Sequence, residues 1–251
     1  MSAIARVADF WDHHTAAWLD GEDQLPAELV PWFASYQGRG AGSVTREAFA
    51  EPYGGDIRGS PRFVILGLNP GAATPDFQAR NGIFAEAIRR AGSYSAWAAS
   101  HAYLGDDWTR AHGRNRYGEA RLRFARAWLK EPNLPARDLL ILELYPWHST
   151  QVTAPIVPCG PIVEKFIWRP LADLSAELIF AFGKPWLGVC KLLGLRELRR
   201  WDPGGDDFIV ASRAGVLFEL PSHQRVVIVW QSGYAGPPGP DDTERLRRLL
   251  R

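Results

Sequence analysis

Cysteine is scarce in this sequence, and that scarcity excludes several classes of site. Of the 251 residues only Cys159 and Cys190 are cysteines. Two thiols are too few for a disulfide framework, a four-thiolate zinc site or a four-cysteine iron–sulfur cluster. We therefore expect both thiols to be buried or unreactive.

Long hydrophobic runs are also missing. No stretch of eighteen apolar residues occurs, and the N-terminus has neither the basic segment nor the apolar core of a signal peptide. We therefore expect a cytoplasmic protein that does not span a membrane. The apolar fraction of 46% and the charged fraction of 23% are globular values, which exclude a disordered or fibrous chain.

A strong overall charge is absent as well, because the formal net charge is only +1. The cations are nevertheless unusual, since 25 of the 29 are arginine, which binds phosphate in a bidentate manner better than lysine does. A GC-rich coding bias also explains the total, and composition alone favours that explanation. The local cluster is more informative and predicts a surface that meets a polyanion. It holds six arginines and one acid, Glu119, within seventeen residues: Arg110, Arg114, Arg116, Arg121, Arg123 and Arg126.

Four short apolar runs alternate with longer helical or irregular segments after Arg62. Continuous apolar runs are typical of strands buried on both faces, and their wide spacing requires crossover connections. We therefore predict an α/β fold with a central, mainly parallel four-stranded sheet between helices. The runs are residues 63–66, 139–142, 178–182 and 226–230.

Two further features concern the organisation of the chain. Residues 208–211 and 216–220 flank Arg213, Ala214 and Gly215, a pattern that predicts a hairpin with its turn at those three residues. Residues 1–60 combine a helical pattern with a glycine-rich stretch and carry little chemical signal. We therefore predict an N-terminal extension over residues 1–60 and a single α/β domain over residues 61–251.

Polar, glycine-bearing or aromatic residues follow all four predicted strands. In open parallel sheets, ligands bind at the carboxyl ends of the strands. Residues 67–71, with the sequence Gly-Leu-Asn-Pro-Gly, follow the first strand, and Glu143, Tyr145 and His148 follow the second. Lys184 follows the third strand, and residues 231–239 follow the fourth. The agreement of all four ends predicts a binding site at this edge.

Residues 67–71 carry a resemblance to the uracil-DNA glycosylase superfamily. That superfamily begins with a strand ending in Gly-x-Asp/Asn-Pro, and its mismatch-type branch has Gly-x-Asn-Pro-Gly. Gln78-Ala79, Gly82 and Phe84 also fall close to family positions, and residues 178–183 resemble a further family strand. Residues 230–234 occupy the place of the closing loop, where the match is poor. The resemblance covers roughly residues 62–240 and implies a three-layer sandwich.

The resemblance also implies a mechanism and roles for individual residues. Members of the superfamily flip a nucleotide out of the stack, and water attacks C1′ of an oxocarbenium-like sugar as the base leaves. Asn69 would position that water, and Phe84 would stack on the base. Ser232 would bind a phosphate, and Tyr234 would fill the hole that flipping leaves. We assign Lys184, Gln231, Arg121 and Arg123 to DNA contacts as well.

Three departures from the family pattern bear on the identity of the base. Gly71 stands where the uracil-specific branch has a Tyr that excludes substituents at C5. Glu143 stands where that branch has an Asn, and a carboxylate accepts a hydrogen bond from an exocyclic amine, as toward cytosine N4. Trp230 or Gln231 replaces the closing His. We therefore place Gly71, Phe84, Glu143 and Tyr145 around the base, and predict a cytosine with a group at C5.

Structural roles compete with these assignments. Glu143 could cap a helix or pair with an arginine. His148 could protonate the departing base, bind phosphate or be a structural histidine, and we assign it with Asn69 to catalysis. We assign no cofactor and no metal, because the other histidines that occur near one another lack metal-ligand spacing: His13, His14, His101 and His112.

The sequence thus predicts a monofunctional DNA glycosylase that excises a 5-substituted pyrimidine, such as a hydroxymethylated or glucosylated cytosine of phage DNA. A mismatch-type enzyme for uracil or thymine in repair is the second hypothesis, and a non-catalytic DNA-binding module is the third. In each case we expect a monomer whose partner is double-stranded or locally opened DNA.

Overall fold

The computed structural model describes residues 1–36, 44–150 and 160–251, and these residues form one seven-stranded sheet. The order of the strands is β1-β3-β2-β4-β7-β6-β5. Their bounds are β1 Tyr53–Gly54, β2 Phe63–Gly67, β3 Leu139–Glu143, β4 Leu178–Phe182, β5 Arg196–Trp201, β6 Arg213–Glu219 and β7 Arg225–Gln231.

The four predicted strands are β2, β3, β4 and β7, and they lie side by side and parallel in the middle of the sheet. The sheet as a whole is mixed, because β1, β5 and β6 pair antiparallel with their neighbours. The α/β class is therefore confirmed, whereas the expectation of a four-stranded, mainly parallel sheet is wrong. The strands that were missed are β1, which is short, and β5, which is exposed, so neither has a continuous apolar pattern. Most of β6 was expected, as the second arm of the predicted hairpin over residues 216–220.

Helices cover both faces of the sheet. Their bounds are α1 Ala3–Leu19, α2 Val30–Tyr36, α3 Pro75–Gln78, α4 Ile83–Ala91, α5 Tyr94–Ala98, α6 Asp106–His112, α7 Arg116–Leu129, α8 Gly160–Val163, α9 Arg169–Leu171, α10 Pro185–Leu192 and α11 Pro240–Leu249. A π-helical turn, Glu164–Trp168, joins α8 to α9.

Alternate strand residues enter two separate cores, as the period-two geometry of a strand requires. Val64 and Leu66 of β2 belong to the core that contains α1, α2, α4, α5 and α10. Phe63 and Ile65 belong to the second core, which contains Phe124 of α7 and residues of α11. The central strands are therefore buried on both faces, which explains their continuous apolar sequences.

The predicted hairpin turn at Arg213, Ala214 and Gly215 is wrong, because these residues open β6: all three pair with β7, and Gly215 also pairs with Trp201 of β5. A Cβ atom at Gly215 would lie 3.0 Å from Trp201 Cε3. The small residues therefore admit the Trp201 ring of β5 and do not mark a turn. The chain reverses instead between β6 and β7, where the Leu220 N–H donates to the Gln224 carbonyl over 2.8 Å.

The N-terminal segment shares a core with the rest of the chain. Trp11 of α1 packs edge-on against Trp32, with ring centroids 6.2 Å apart, and also contacts Phe166. Tyr53 and Gly54 pair antiparallel with β3. Residues 1–60 therefore contribute helices to one core and an edge strand to the sheet.

Two sequence expectations concern the cysteines and the membrane. Cys190 is buried and free, whereas Cys159 lies outside the described residues. In the part of the chain that the structure describes, no helix combines the length and the apolar character needed to cross a membrane.

Candidate active site

The order of the parallel strands creates a crevice at their carboxyl ends. From β2 the chain crosses to β3 on one side and then to β4 on the other, and ligands bind where such an order reverses. The segments after β2 and β3 run together beyond the sheet. Leu144 N–H donates to Gly67 O over 3.1 Å, Tyr145 N–H to Leu68 O over 2.9 Å, and Ser149 N–H to Gly71 O over 2.9 Å. These bonds hold the Asn-Pro-Gly turn in a fixed position.

The Asn69 side chain is held by Ser149. Its Nδ2 donates to Ser149 O over 2.9 Å and to Ser149 Oγ over 3.0 Å. Ser149 Oγ also bonds the Tyr36 hydroxyl, and burial raises the pKa of Tyr36. Because both contacts engage the nitrogen of the half-buried amide, Oδ1 is the end that Ser149 does not hold. An amide fixed in this way can present a carbonyl oxygen to a water molecule.

A cavity of about 100 Å³ is lined by Pro70 of this turn, by α5, by the start of α7, and by β1 and β3 along their length. That volume holds several water molecules or one heterocyclic base. The walls are mainly aromatic and apolar, with two carboxyl groups among them. Prominent lining residues are Glu51, Pro70, Trp97, Tyr103, Tyr117 and Glu143.

Glu143 places a buried carboxyl group in this cavity. The side chain is 5% exposed, and the Tyr117 hydroxyl donates to its Oε1. Its Oε2 has no hydrogen-bond partner among the described residues. Burial raises the pKa of Glu143 to about 7, against the opposing effects of the Arg121 charge and the Tyr117 hydrogen bond. A buried oxygen without a partner is costly, and a ligand that donates to it would remove that penalty.

The placement of Arg121 is at odds with the expectation that it contacts DNA phosphate. Its side chain is 3% exposed, and its guanidinium carbon lies 3.2 Å from the ring centroid of Tyr117. On α7 the buried positions include residues 121 and 122, so the helix turns this arginine inward. Arg121 therefore acts on the Tyr117–Glu143 pair, whereas Arg123 stays exposed.

His148 lies behind the wall of the cavity. It is 0% exposed, and its Nδ1 lies 3.3 Å from Gly71 O. Its Nε2 lies 3.2 Å from Glu51 Oε1, a charge contact without the alignment of a hydrogen bond. The expectation that His148 protonates the base directly or binds phosphate is therefore wrong, because protein groups surround both ring nitrogens.

Glu51 is a site residue that the sequence did not reveal. It is 8% exposed, accepts a hydrogen bond from the Tyr103 hydroxyl, and lies 3.2 Å from Gln78 Nε2. Burial raises the pKa of Tyr103 well above its usual range, so this phenol remains a neutral donor. The sequence feature that could have identified Glu51 is an acid inside the apolar and aromatic stretch of residues 48–53. That stretch was not considered because it lies in a segment with no recognised motif.

Two predicted base-binding rings lie in the core and do not line the cavity. Phe84 is 2% exposed, stacks on Trp108 and packs edge-on against Tyr103 with centroids 4.9 Å apart. Tyr145 is 2% exposed and stacks on Tyr36 with centroids 4.2 Å apart. Tyr103 and Tyr117 line the cavity instead. Phe84 therefore supports Tyr103, and Tyr145 supports the Tyr36–Ser149 contact.

Gly71 has open space on the side where a Cβ atom would project, and its φ angle is +92°. Gly71 is not among the residues that line the cavity, although its neighbour Pro70 is, so its predicted place beside the base stays a prediction. The positive φ gives a reason for glycine, since side-chain-bearing residues adopt this backbone conformation only with strain.

The closing segment lies at the same edge of the sheet. Ser232 and Tyr234 are exposed, Tyr234 by 45%, and Gln231 Oε1 accepts a hydrogen bond of 2.7 Å from Arg213. A second cavity of about 300 Å³ lies next to this segment and is lined by Arg123 and Tyr234. Lys184 is exposed at the start of α10. The predicted DNA contacts other than Arg121 and Gln231 are therefore on the surface.

Within residues 1–36, 44–150 and 160–251, no group of three or more His, Cys, Asp or Glu side chains could hold a metal ion. Comparisons of the chain with protein-family models, with curated proteins and with solved structures found no match.

Proposed function

We propose that the chain is a monofunctional DNA glycosylase that excises a 5-substituted pyrimidine, most favourably a modified cytosine. The observation that carries this proposal is the mainly aromatic and apolar cavity that reaches the carboxyl ends of β2 and β3, whose lining includes Glu143 with one oxygen, Oε2, that lacks a partner. A flipped base is a flat, largely apolar group with polar atoms on one edge, and it fits a cavity of this composition. We propose in addition that the α/β fold is of the uracil-DNA glycosylase type.

The base-recognition step follows from the chemistry of Glu143. An ionised carboxylate accepts a hydrogen bond from an exocyclic amine such as cytosine N4 and opposes a carbonyl at the same position. Leaving such a buried group unsatisfied costs about 1 to 3 kcal/mol. The open space beside Gly71, next to Pro70 of the cavity wall, is the proposed outlet for a substituent at C5. Modified cytosines of this kind occur in phage DNA, so defence is the corresponding biological role.

The bond-breaking step uses the Asn69 amide. Water held by Asn69 Oδ1 attacks C1′ as the N-glycosidic bond breaks and then loses a proton to solvent, and the base departs with the bonding electrons and takes a proton from solvent. An amide is a weak base, so the step depends on positioning and on a sugar that already carries positive charge. The product is an abasic site.

One experiment tests the activity. Duplexes that carry 5-hydroxymethylcytosine, glucosylated 5-hydroxymethylcytosine, cytosine, uracil or thymine at one position are incubated with the protein and then treated with hot alkali. The proposal expects strand cleavage at a modified cytosine and little at cytosine. Binding without cleavage of any duplex contradicts the proposal and favours a non-catalytic DNA-binding module.

A mismatch-type enzyme for uracil or thymine in repair is the second candidate, and one observation favours it. With a pKa near 7, the Glu143 carboxyl group is partly protonated at neutral pH. A protonated carboxyl group donates a hydrogen bond and suits the O4 carbonyl of uracil or thymine. Faster cleavage at uracil than at every cytosine derivative would select this candidate.

A further inference from the structure

We propose that Tyr117 and Arg121 determine base specificity, because Tyr117 holds one oxygen of Glu143 and Arg121 in turn stacks on the Tyr117 ring. The same cavity would then accept an amino base when the carboxyl group is ionised and a carbonyl base when it is protonated. This inference rests on the proposed function, and it concerns two residues of α7 that have no assigned role in base recognition.

The geometry of α7 supports a joint action of the two residues. Tyr117 and Arg121 are four residues apart, so they lie on one face of the helix. The Arg121 guanidinium stacks on the Tyr117 ring and donates to the Tyr117 carbonyl over 3.2 Å. The Tyr117 hydroxyl in turn donates to Glu143 Oε1. One oxygen of Glu143 is therefore occupied, and Oε2, which lies against Gly67, is the oxygen without a partner among the described residues.

The charges around Glu143 oppose one another. Burial is the largest effect and favours the neutral acid, and Glu51 from the segment before β1 acts in the same direction. Arg121 and Tyr117 from α7 and His148 from the segment after β3 favour the carboxylate. Burial is the main reason that the pKa values of Tyr36 in α2 and of Tyr94 in α5 are raised. The Glu143 charge raises both values further. Arg121 is the largest influence that favours ionisation.

The hydrogen-bonding chemistry of the two forms is opposite. The carboxylate is only an acceptor, whereas the protonated carboxyl group offers one O–H donor. The proton exchanges with solvent before a base enters, so no covalent step is involved. If each form serves one class of base, the ratio of the two excision rates follows the ratio of ionised to neutral Glu143. That ratio changes about tenfold for each pH unit.

A matched pair of substrates tests this relation. 5-Hydroxymethylcytosine and 5-hydroxymethyluracil differ in the group at C4 and in the protonation of N3, and both are placed opposite an abasic-site analogue so that neither is paired. Single-turnover excision rates are measured between pH 6 and pH 8. We expect the cytosine-to-uracil rate ratio to rise about a hundredfold over this range. We expect a constant ratio for Glu143→Gln, whose amide does not titrate.

Variants of α7 test the roles of the two residues. In Arg121→Met the pKa of Glu143 should rise by about one unit or more, since a nearby opposite charge is lost. The rate ratio should then fall about tenfold at each pH, with the same slope against pH. Tyr117→Phe should change the rate ratio in the same direction. It provides the test of α7 if Arg121→Met does not fold. Arg137→Met replaces an exposed arginine before β3 and should leave the ratio unchanged.

Two results would overturn the inference: a ratio that is constant with pH in the wild type, or no displacement in folded Arg121→Met or Tyr117→Phe. If no base is excised at all, the proposed function fails. The influence of α7 on Glu143 can still be measured without DNA, by ¹³C NMR titration of the Glu143 carboxyl carbon in the same proteins. An unchanged titration midpoint in the α7 variants would then reject the inference separately.

Discussion

Glu143 is an acid that the fold keeps in a largely apolar cavity, and this placement has a thermodynamic consequence. The pKa of its carboxyl group is about 7 in the folded protein, compared with 4.5 for an exposed glutamate. The folded state therefore binds a proton that the unfolded state has released between these two pH values. Stability from this group is complete below about pH 4.5 and declines as the pH rises through 7.

We expect Glu143→Gln to remove this decline. Between pH 5 and pH 8 the wild type should lose about 3 kcal/mol more of its free energy of unfolding than the variant, because other titrating groups affect both proteins equally. Urea denaturation at the two pH values measures the difference. Parallel curves for the two proteins would show that Glu143 is ionised throughout.

Asn69→Ala tests the position of the attacking water. We expect excision to slow by roughly a hundredfold or more, because nothing else is proposed to hold the water, while DNA affinity depends on phosphate contacts elsewhere and should stay. Single-turnover rates and a binding titration measure the two effects. Asn133→Ala, at an exposed position before β3, is the control. A fully active Asn69→Ala protein would exclude the proposed mechanism.

At the scale of single elements, the segment that contains α7 shows that a cluster of arginines in a sequence is only in part a surface patch, since four of the six are exposed. Arg121 is buried, Arg114 pairs with Glu119 over 2.8 Å, and Arg126 donates to the Leu134 carbonyl over 3.0 Å. Arg116 and Arg123 are exposed, and seven residues separate them, so they share one face of the helix. These two arginines are the remaining candidates on α7 for phosphate contacts.

We expect Arg123→Gln to weaken binding of all DNA sequences alike. The slope of log K against log salt should fall by about 0.9, since one phosphate contact is lost. Fluorescence anisotropy with a labelled duplex at several salt concentrations measures the slope. Arg137→Gln, at the opposite edge of the sheet, should keep the wild-type slope. An unchanged slope for both variants would mean that Arg123 faces only solvent.

The strands also show how far the sequence could predict the fold. Runs such as residues 226–230 are apolar on both faces and predicted the parallel strands correctly, and the carboxyl-edge rule brought Glu143 to the cavity. β5 is exposed and carries alternating charges, so its pairing depends on the β6 backbone and has no sequence signal. The inward turn of Arg121 was equally hidden, because burial of one arginine among six depends on tertiary contacts.

At the scale of the whole molecule, contacts between distant segments build the site. Glu51 enters the cavity only because the N-terminal segment pairs with β3 and packs against residues more than a hundred positions away, such as Phe166 against Trp11. A motif search examines neighbouring residues and has no access to such contacts. The groups that Glu51 contacts could therefore not be predicted from the sequence. Asn69 could be predicted, because it lies inside one short motif.

A core substitution tests whether the N-terminal helices fold together with the sheet. Trp11 is 1% exposed and lies in the core that also contains β2 and β3 residues. We expect Trp11→Ala to destabilise the whole chain by about 3 to 5 kcal/mol in a single transition. Circular dichroism and tryptophan fluorescence should give the same midpoint. Ile209→Ala, at a 56% exposed side chain, should change stability by less than about 0.5 kcal/mol. Two separate transitions would indicate independent units.

Gly67 ends β2 with no side chain, and a Cβ atom there would collide with Glu143 Oε2 and the Tyr117 hydroxyl. The glycine that opens the Asn-Pro-Gly turn thus makes room for the carboxyl group of the neighbouring strand. Gly67→Ala alone should displace Glu143 and abolish base selectivity. In a background of Glu143→Ala combined with Tyr117→Phe, which removes both groups that the Cβ atom would meet, the same change should be nearly harmless, so the effects should be strongly non-additive. Relatives of this chain that lose both the acid and the tyrosine hydroxyl should therefore also be free to lose the glycine, and the three positions should vary together.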